Sequence, residues 1–309
     1  MDRKLNSQMF RFPHAVRKRW EKYFQEKING MIMKEIDSVR PDIVLVYNSL
    51  YLVPETCIYI KKRAKLVFFM GDSPFYTPQN NYYLACLAHA DLILSPDTFW
   101  NHQLNVTGLR NTLYLMPGPD TKYYNKLEGI SPEPGERTTE VLYVGSCYLN
   151  SWGYKKALLM SKFTGFDFQL YGNSAWRRWF QFFPELGNVY NESGFISQST
   201  INRMFNLTKL IPVDGNPGIL AGVHLRMFEA LASGALPLIE YRNDVDGVLF
   251  REFTGELPLI RDYGKAGEIA AMYLRNDAER RELAAAMLTF LQNEYSASKN
   301  AARVEEALA

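Results

Sequence analysis

The 309-residue sequence has few cysteines, no long apolar run and little net charge, and each shortage excludes a class of protein. The spacing of Cys57, Cys86 and Cys147 suits neither a disulfide framework nor a metal cluster, so we expect buried thiols without disulfides or zinc. No stretch approaches the ~20 apolar residues that a membrane-spanning helix needs. The first ten residues are charged and lack an apolar segment, so we expect no signal peptide and a cytoplasmic location.

The net charge of +2 conceals an uneven distribution of charged side chains. The first 27 residues hold eight Lys or Arg against three Asp or Glu, so the other 282 residues are slightly acidic. Because that remainder offers no broad basic surface, we expect no nucleic-acid partner. The opening region mixes aromatic and basic side chains, namely Phe10, Phe12, Trp20, Tyr23 and Phe24 with Arg17, Lys18, Arg19 and Lys22.

Two interpretations of this opening region stay open. A basic amphipathic helix could lie peripherally on an anionic membrane surface, such as the inner face of a cell membrane. It could also be an ordinary helix that packs its aromatic side chains on the core and keeps its charges in water.

Helix and strand signals alternate along the chain in the manner of open, mostly parallel α/β sheets with helices on both sides. The predicted strands lie at 42–46, 65–70, 90–95, 112–116, 141–145, 166–172, 209–213 and 235–240, and the predicted helices at 54–62, 80–89, 98–107, 153–163 and 199–206. Residues 176–183, WRRWFQFF, could be helix or loop.

The length and an apolar share of 47% suffice for two cores. The best boundary is 118–140, a segment rich in Gly, Pro and charge. We therefore predict an N-terminal domain over 1–130, a C-terminal domain over 138–290 and a terminal helix over 291–309 that could cross back to the first domain.

The stretch 221–240, AGVHLRMFEALASGALPLIE, carries the clearest chemical signal. Gly222 frees the backbone before a short helix, where the first amide groups and Arg226 could hold a diphosphate. Glu229 shares that face of the helix and could reach a ribose. The opposite face would pack on a sheet through Leu225, Phe228, Leu231 and Ala232.

Gly234 is placed to end this helix, and 235–240 has the pattern of a buried parallel strand. The alternative is a surface helix whose Arg226 and Glu229 merely pair with each other. The strand at 209–213 and a loop with three glycines at 214–222 favour a binding site, because a plain connection does not need them.

Several sequence motifs resemble those of the GT-B glycosyltransferases related to the spore maturation protein CgeB and to glycosyltransferase family 4, and they occur in the order and spacing of that family. They are LRMFEALASGALPL, VLYVGSCY at 141–148, FDFQLYGN at 166–173, FFMGDSPFY at 68–76 and ADLILSPD at 90–97. The resemblance covers about residues 40–285. It implies two Rossmann-like doubly wound domains that face a cleft, and transfer of a sugar from a nucleotide sugar with retention of configuration.

The sequence departs from the family 4 pattern at three places. Ala221 stands where those enzymes usually carry a Glu, eight residues before Glu229. Ser146 replaces an Arg that usually follows the strand at 141–145, which leaves Lys155 or Lys156 as the candidate cation. Only about 40 residues precede the first clear strand, so we expect the first domain to be shorter than that of GT-B enzymes.

The resemblance and the rule that ligands bind at the carboxyl ends of parallel strands together select the candidate site residues. The expected nucleotide-binding residues are Gly145, Ser146, Tyr171, Gly172, Phe195, Ile196, His224, Leu225, Arg226 and Glu229. The expected catalytic residues are Asp72, Arg226 and Lys155, and the acceptor side comprises Asn48, Ser49, Asp72 and Ser73. Asp72 could orient an acceptor hydroxyl or act as a weak base, or it could simply cap its own turn.

The reaction we expect uses a nucleotide-sugar co-substrate, a UDP-sugar before a GDP- or TDP-sugar, and no bound metal. The acceptor could be a protein, a glycan or a lipid-linked molecule, for example in a bacterial envelope or spore. A catalytically degenerate binding or assembly component and a nucleotide-sugar epimerase stay as alternatives. A Rossmann dehydrogenase is disfavoured because no Gly-x-Gly-x-x-Gly follows a strand.

Overall fold

The computed structural model describes residues 14–49, 51–76, 81–129, 137–216 and 218–309. The chain divides into two compact units, one formed by Met1–Leu115 with Glu305–Ala309 and the other by Met116–Val304. Each unit contains one parallel sheet, which confirms the predicted α/β class. The domain limits at 130 and 138 and the return of the terminal helix to the first domain stay predictions.

The first unit has a four-stranded parallel sheet in the order β1-β2-β3-β4. Leu66, Val67 and Phe68 of β2 are buried on both faces of the sheet, as continuous apolar strands of parallel sheets are. The elements are α1 (His14–Val39), β1 (Ile43–Tyr47), α2 (Pro54–Lys61), β2 (Lys65–Phe69), α3 (Tyr83–Leu87), β3 (Leu92–Ser95), α4 (Thr98–Val106) and β4 (Thr112–Tyr114).

The basic opening region is helical where it is described. Phe10 and Phe12 lie outside the described residues, as do the side chains of Arg17 and Lys18. Trp20 and Tyr23 are exposed, with ring centroids 6.2 Å apart, so packing on the core does not describe these two side chains. None of the described helices is long and apolar enough to cross a membrane.

The second unit has a six-stranded parallel sheet in the order β10-β9-β8-β5-β6-β7. The chain leaves β5 toward β6 and later returns to place β8 on the other side of β5. Such a reversal is a topological switch point, where a crevice opens at the carboxyl ends of the strands. The strands are β5 (Thr139–Val144), β6 (Phe168–Gly172), β7 (Tyr190–Glu192), β8 (Thr208–Val213), β9 (Leu236–Glu240) and β10 (Leu259–Ile260).

The helices of this part of the chain connect and cover these strands. They are α5 (Ser151–Met160), α6 (Leu186–Val189), α7 (Gln198–Asn206), α8 (Arg226–Ala232), α9 (Ala266–Arg275), α10 (Asp277–Glu294) and α11 (Ala297–Leu308). The ambiguous WRRWFQFF segment forms a 3-10 turn at Ser174–Trp179 followed by further turns. All three cysteines are buried free thiols, as expected.

The eight predicted strands are present within a few residues of their expected limits. The structure adds β7 and β10, which have three and two residues and lie at the two edges of the second sheet. Their sequences, YNE and LI, are too short to show a strand pattern. The helix predicted at 80–89 is shorter, because only Tyr83–Leu87 is helical.

Candidate functional site

Two buried carboxylates lie at the carboxyl ends of neighbouring strands in the second unit. Asp214 directly follows β8 and is 5% exposed, and Glu240 is the last residue of β9 and is 8% exposed. Val213 and Ile239 are partners in the β8–β9 pair, so both carboxylates lie at the same edge of the sheet. A buried carboxylate is costly unless it is paired.

Asp214 is paired on both of its oxygens. Its Oδ1 accepts hydrogen bonds from the Tyr143 hydroxyl at 2.6 Å and from Arg226 Nη1 at 3.3 Å. Its Oδ2 lies 3.2 Å from Lys156 Nζ. Burial acts to raise the pKa of Asp214, but the positive charges of Lys156 and Arg226 outweigh it and hold that pKa below its usual range. Asp214 is therefore ionised at neutral pH.

Glu240 joins a second group of cations and fixes the loop after β8. Its Oε1 lies 2.5 Å from Lys155 Nζ and 2.9 Å from Arg242 Nη2. Its Oε2 accepts a hydrogen bond from the Gly215 amide at 2.9 Å. Arg242 also donates to the Leu220 carbonyl at 3.2 Å. A side chain at Gly215 would displace the Arg242 guanidinium from this position.

We call Lys155, Lys156, Arg226, Arg242, Asp214 and Glu240 the charge cluster. It holds four cations and two carboxylates. Its excess of two positive charges falls to one if the nearby Glu229 is counted. Burial raises the pKa of the Glu229 carboxyl, and the positive charge of the nearby Arg226 guanidinium acts to lower it. A partly buried positive excess at a switch point suits a multiply charged anion.

Arg226 lies between Asp214 and the loop after β5. The guanidinium is 4.6 Å from the centre of the Tyr143 ring, in a cation–π arrangement that fixes its plane. A Cβ atom at Gly145 would come within 2.9 Å of Arg226 Nη2. The absence of a side chain at Gly145 therefore leaves room for the guanidinium. Gly145 and Arg226, both predicted site residues, lie next to each other.

The first amides of α8 do not form the predicted anion site. The amide of Arg226 donates to His224 Nδ1 at 3.1 Å, and those of Met227 and Phe228 donate to the carbonyls of His224 and Leu225. These donors are satisfied within the chain because residues 224 and 225 form a turn onto the helix. The charged side chains beside the helix, and not these amides, are therefore the candidate contacts for an anion.

The helix α8 packs largely as its pattern predicts. Phe228, Leu231 and Ala232 are buried, but Leu225 is 45% exposed and does not belong to the packed face. Gly234, at a φ of +78°, ends the helix as expected, and its amide donates to the Leu231 carbonyl.

His224 is a neutral acceptor in this site. Burial, with the positive charge of Arg226 as a further cause, lowers the pKa of His224 to about 3. Its Nδ1 accepts the Arg226 amide hydrogen, so Nε2 carries the remaining proton and is available as a donor.

Replacing His224 by asparagine is expected to reduce the acid sensitivity of the fold. The unfolded histidine binds a proton below about pH 6.5, but the folded one does so only near pH 3, so the free energy of unfolding falls as the pH falls through this window. One proton gives a slope of at most about 1.4 kcal/mol per pH unit. Asparagine keeps an acceptor but does not titrate. Thermal unfolding at pH 4 to 7 checks this, and identical pH slopes for both proteins would contradict it.

The loop after β5 lies beside the charge cluster. Ser146 is exposed, and its carbonyl accepts a hydrogen bond from Lys156 Nζ at 2.9 Å. A side chain at Gly172 would meet the Trp176 indole and the Gly145 carbonyl, so β6 can end close to this loop only with glycine.

The remaining predicted nucleotide-binding residues lie in and after β6 and β7. Phe195 is 88% exposed and Ile196 is half-buried. Tyr171 and Ile196 both line a cavity of about 550 Å³ beside α7, together with Thr138, Thr139, Leu142, Gln169, Glu192, Ser193, Thr200, Met204, Leu207 and Thr208. The lining is mostly uncharged, in contrast to the charge cluster.

In the first unit, the predicted polar residues meet at the ends of β1 and β2. Asn48 donates to Asp72 Oδ2 at 3.1 Å and accepts from the Gly71 amide at 2.8 Å. Ser73 is fully buried, and its hydroxyl accepts from the Tyr76 amide at 3.1 Å, which does not fit direct contact with an acceptor. Ser49 accepts from the Leu52 amide at 3.0 Å. Asp72, oriented by Asn48, stays the candidate for acceptor chemistry.

One Asp-x-Asp pair, Asp244 and Asp246, bears on the expectation that no metal is needed. Asp244 is almost fully buried, and Asp246 Oδ2 lies 2.6 Å from Arg261 Nη2. A Mg²⁺ site needs carboxylate oxygens that are open to the ion and its waters. A buried carboxylate and an arginine-paired carboxylate do not offer this arrangement.

Part of the chain matches a model of a known protein family. Residues 155–306 match the family model described as glycosyl transferase-like. A comparison with curated protein sequences gives no match.

Solved structures of similar fold share little sequence identity with this chain. Sucrose-phosphate synthase from Thermosynechococcus elongatus is 14% identical, with a TM-score of 0.64 over 91% of this chain and 76% of that chain. HepE from Anabaena in complex with UDP is 13% identical, with a TM-score of 0.64 over 90% and 82%. A trehalose-6-phosphate protein from E. coli bound with UDP-2-fluoro glucose is 13% identical, with a TM-score of 0.61 over 92% and 77%. The chain therefore has the GT-B fold, and its residues 155–306 match the glycosyl transferase-like family model.

Proposed function

We propose that the protein transfers a glycosyl group from a nucleoside-diphosphate sugar to an acceptor, and that the charge cluster binds the diphosphate. The observation that carries this proposal is the excess of positive charge at the switch point of the second sheet. Asp214 and Glu240 hold the cations in place before any ligand arrives, so little reorganisation is needed when the diphosphate binds.

The same cations account for leaving-group stabilisation. When the bond between the sugar and the diphosphate breaks, negative charge develops on the terminal phosphate oxygen. Arg226 offers a planar fork of donors for this charge, and Lys155, whose side chain is 34% exposed, offers an ammonium group that Glu240 holds in place. Fixed cations in a partly buried site lower the barrier without a metal ion or a covalent nucleophile. We propose a metal-independent transfer that retains the configuration of the sugar.

The proposed donor is a UDP-sugar. HepE, a structural neighbour, is described in complex with UDP. In this chain we assign the base to the region of Tyr171, Phe195 and Ile196 and the ribose to Glu229. Burial raises the pKa of Glu229, against the opposing effects of Arg226 and the Tyr124 hydroxyl. Its carboxyl oxygens are the groups that we propose to form hydrogen bonds with the ribose hydroxyls.

The proposed acceptor is a glycan, a protein or a lipid-linked molecule that presents a hydroxyl group to Asp72. Asn48 holds one oxygen of that carboxylate. The exposed aromatic side chains Trp20 and Tyr23, with the basic residues of α1, support peripheral contact with an anionic membrane surface.

Calorimetric titration with UDP, GDP, TDP and CDP, repeated with EDTA and with Mg²⁺, tests the donor site. We expect UDP to bind most tightly, with an affinity that EDTA does not change. Release of UDP from UDP-sugars then tests transfer or hydrolysis. Failure of all four nucleotides to bind would remove the proposal, and dependence of binding on Mg²⁺ would remove its metal-independent form.

A binding component without transferase activity is the second candidate. Ala221, which is buried, stands where related enzymes usually carry a Glu, and its carbonyl accepts a hydrogen bond from the Asp244 amide at 3.0 Å. This candidate predicts nucleotide binding without release of UDP from any UDP-sugar. Detection of a glycosylated product would exclude it.

A further inference from the structure

Side chains from elsewhere in the second unit hold much of the backbone of the loop formed by residues 145–148. Four backbone groups are bound at 2.8–2.9 Å: the carbonyls of Gly145, Ser146 and Tyr148 and the amide of Cys147. Their partners are Trp176 Nε1, Lys156 Nζ, Trp179 Nε1 and Asn173 Oδ1, in the same order.

Three of these partners come from one short segment, Asn173–Trp179, which follows β6 directly. Trp176 is fully buried and Trp179 is nearly so. A buried indole can only donate, and it needs an acceptor. Phenylalanine would keep an aromatic ring in this apolar space but has no N–H group, so the two indole N–H groups supply something that packing alone does not. Both of them donate to carbonyls of the loop.

Two glycines are necessary for this arrangement. A side chain at Gly172 would meet the Trp176 indole and the Gly145 carbonyl, and one at Gly153 would meet the Tyr148 carbonyl and the Trp179 indole. Each tryptophan therefore has a glycine that lets it reach its carbonyl.

The shape of the loop determines the space around Arg226. Gly145 faces the Arg226 guanidinium, and the Ser146 carbonyl holds Lys156, which also pairs with Asp214. A loop that is fixed before binding spares the ligand the entropic cost of ordering it.

We propose that Trp176, Trp179 and Asn173 are positioning residues that hold the 145–148 loop in the shape that receives the diphosphate of the nucleotide sugar. This inference rests on the proposed function. None of the three needs to touch the ligand, because they act through the loop backbone.

Trp176→Phe is the most direct test, because it removes the N–H donor but keeps an aromatic ring in the core. We expect the Kd for UDP and the KM for the UDP-sugar to rise roughly tenfold, with kcat changed less than threefold. The reason is that the loop contacts the diphosphate equally before and during bond breaking. The double variant with Trp179→Phe is expected to lose more affinity than either single variant.

Trp100→Phe is the matched control. Trp100 lies in the first unit and is fully buried, and its Nε1 has no hydrogen-bond partner among the described residues. The substitution deletes the same atoms but no hydrogen bond. We expect it to lower the melting temperature without changing UDP affinity.

Hydrogen exchange of the Cys147 amide in the protein without nucleotide reports on the order of the loop itself. We expect this amide to exchange several-fold faster in Trp176→Phe and at the wild-type rate in Trp100→Phe. Unchanged UDP affinity in Trp176→Phe, with wild-type exchange at Cys147, would overturn the inference and leave the proposed function intact. Failure of the wild-type protein to bind any nucleotide would overturn the proposed function and the inference with it.

Discussion

Replacing Arg226 by alanine is expected to weaken UDP binding roughly 100-fold and to abolish release of UDP from a UDP-sugar. The guanidinium is the planar donor of the charge cluster, held over the Tyr143 ring and bonded to Asp214. Charge-assisted hydrogen bonds to a phosphate contribute about 1.5–3 kcal/mol each, and 2.7 kcal/mol corresponds to about 100-fold in affinity. Calorimetry and a UDP-release assay measure the two effects.

Because Arg226 also neutralises a buried carboxylate, loss of affinity must be separated from loss of the fold. Arg226→Lys keeps a positive charge beside Asp214 but removes the planar fork, so we expect a stable protein with an intermediate affinity for UDP. Arg275→Ala removes an exposed arginine of α9 and is expected to bind UDP like the wild type. If Arg226→Lys and Arg226→Ala are folded and bind UDP as tightly as the wild type, the diphosphate does not lie on the charge cluster.

The fold was predictable to the extent that it depends on local pattern. The buried strands β2, β8 and β9 are continuous apolar runs, and Gly234 marked the end of α8 because its φ of +78° suits glycine. The edge strands β7 and β10 were not predictable, since two or three residues carry no periodicity. The shape of the WRRWFQFF segment depends on hydrogen bonds to the 145–148 loop, about 30 residues away in sequence.

Only part of the candidate site was predictable from the sequence. The pattern around Arg226 and the glycines at 145 and 172 selected the loops that meet at the switch point. The roles of Asp214 and Glu240 were missed from the sequence, because they arise from contacts across 71 and 85 residues. Tyr143 was missed for the same reason, since its partner is Asp214. A signal was nevertheless present, because each carboxylate stands at the end of an apolar parallel strand. A buried charge there is costly unless it is paired, and ligands bind at this end of such strands.

Replacing Asp214 by asparagine is expected to destabilise the protein without ligand by about 3 kcal/mol and to increase the stabilisation that UDP provides. Asparagine can still accept from the Tyr143 hydroxyl, but Arg226 and Lys156 lose the charge that compensates them in a buried site. A bound diphosphate would restore the missing negative charge. The rise in melting temperature at saturating UDP is therefore expected to be larger for the variant than for the wild type.

The pH dependence of the same variant separates charge from shape. The pKa of Asp214 is held low in the folded protein, so its contribution to stability is present above about pH 4 and is lost as the pH falls through the folded pKa. Asp214→Asn lacks this contribution at every pH, so the stability difference from the wild type is expected to shrink on acidification. Asp167→Asn, at an exposed aspartate before β6, is the control and is expected to match the wild type at neutral pH. A difference between Asp214→Asn and the wild type that stays constant down to pH 3 would indicate that Asp214 acts through packing, and would leave Arg226 and Lys156 without their proposed counter-charge.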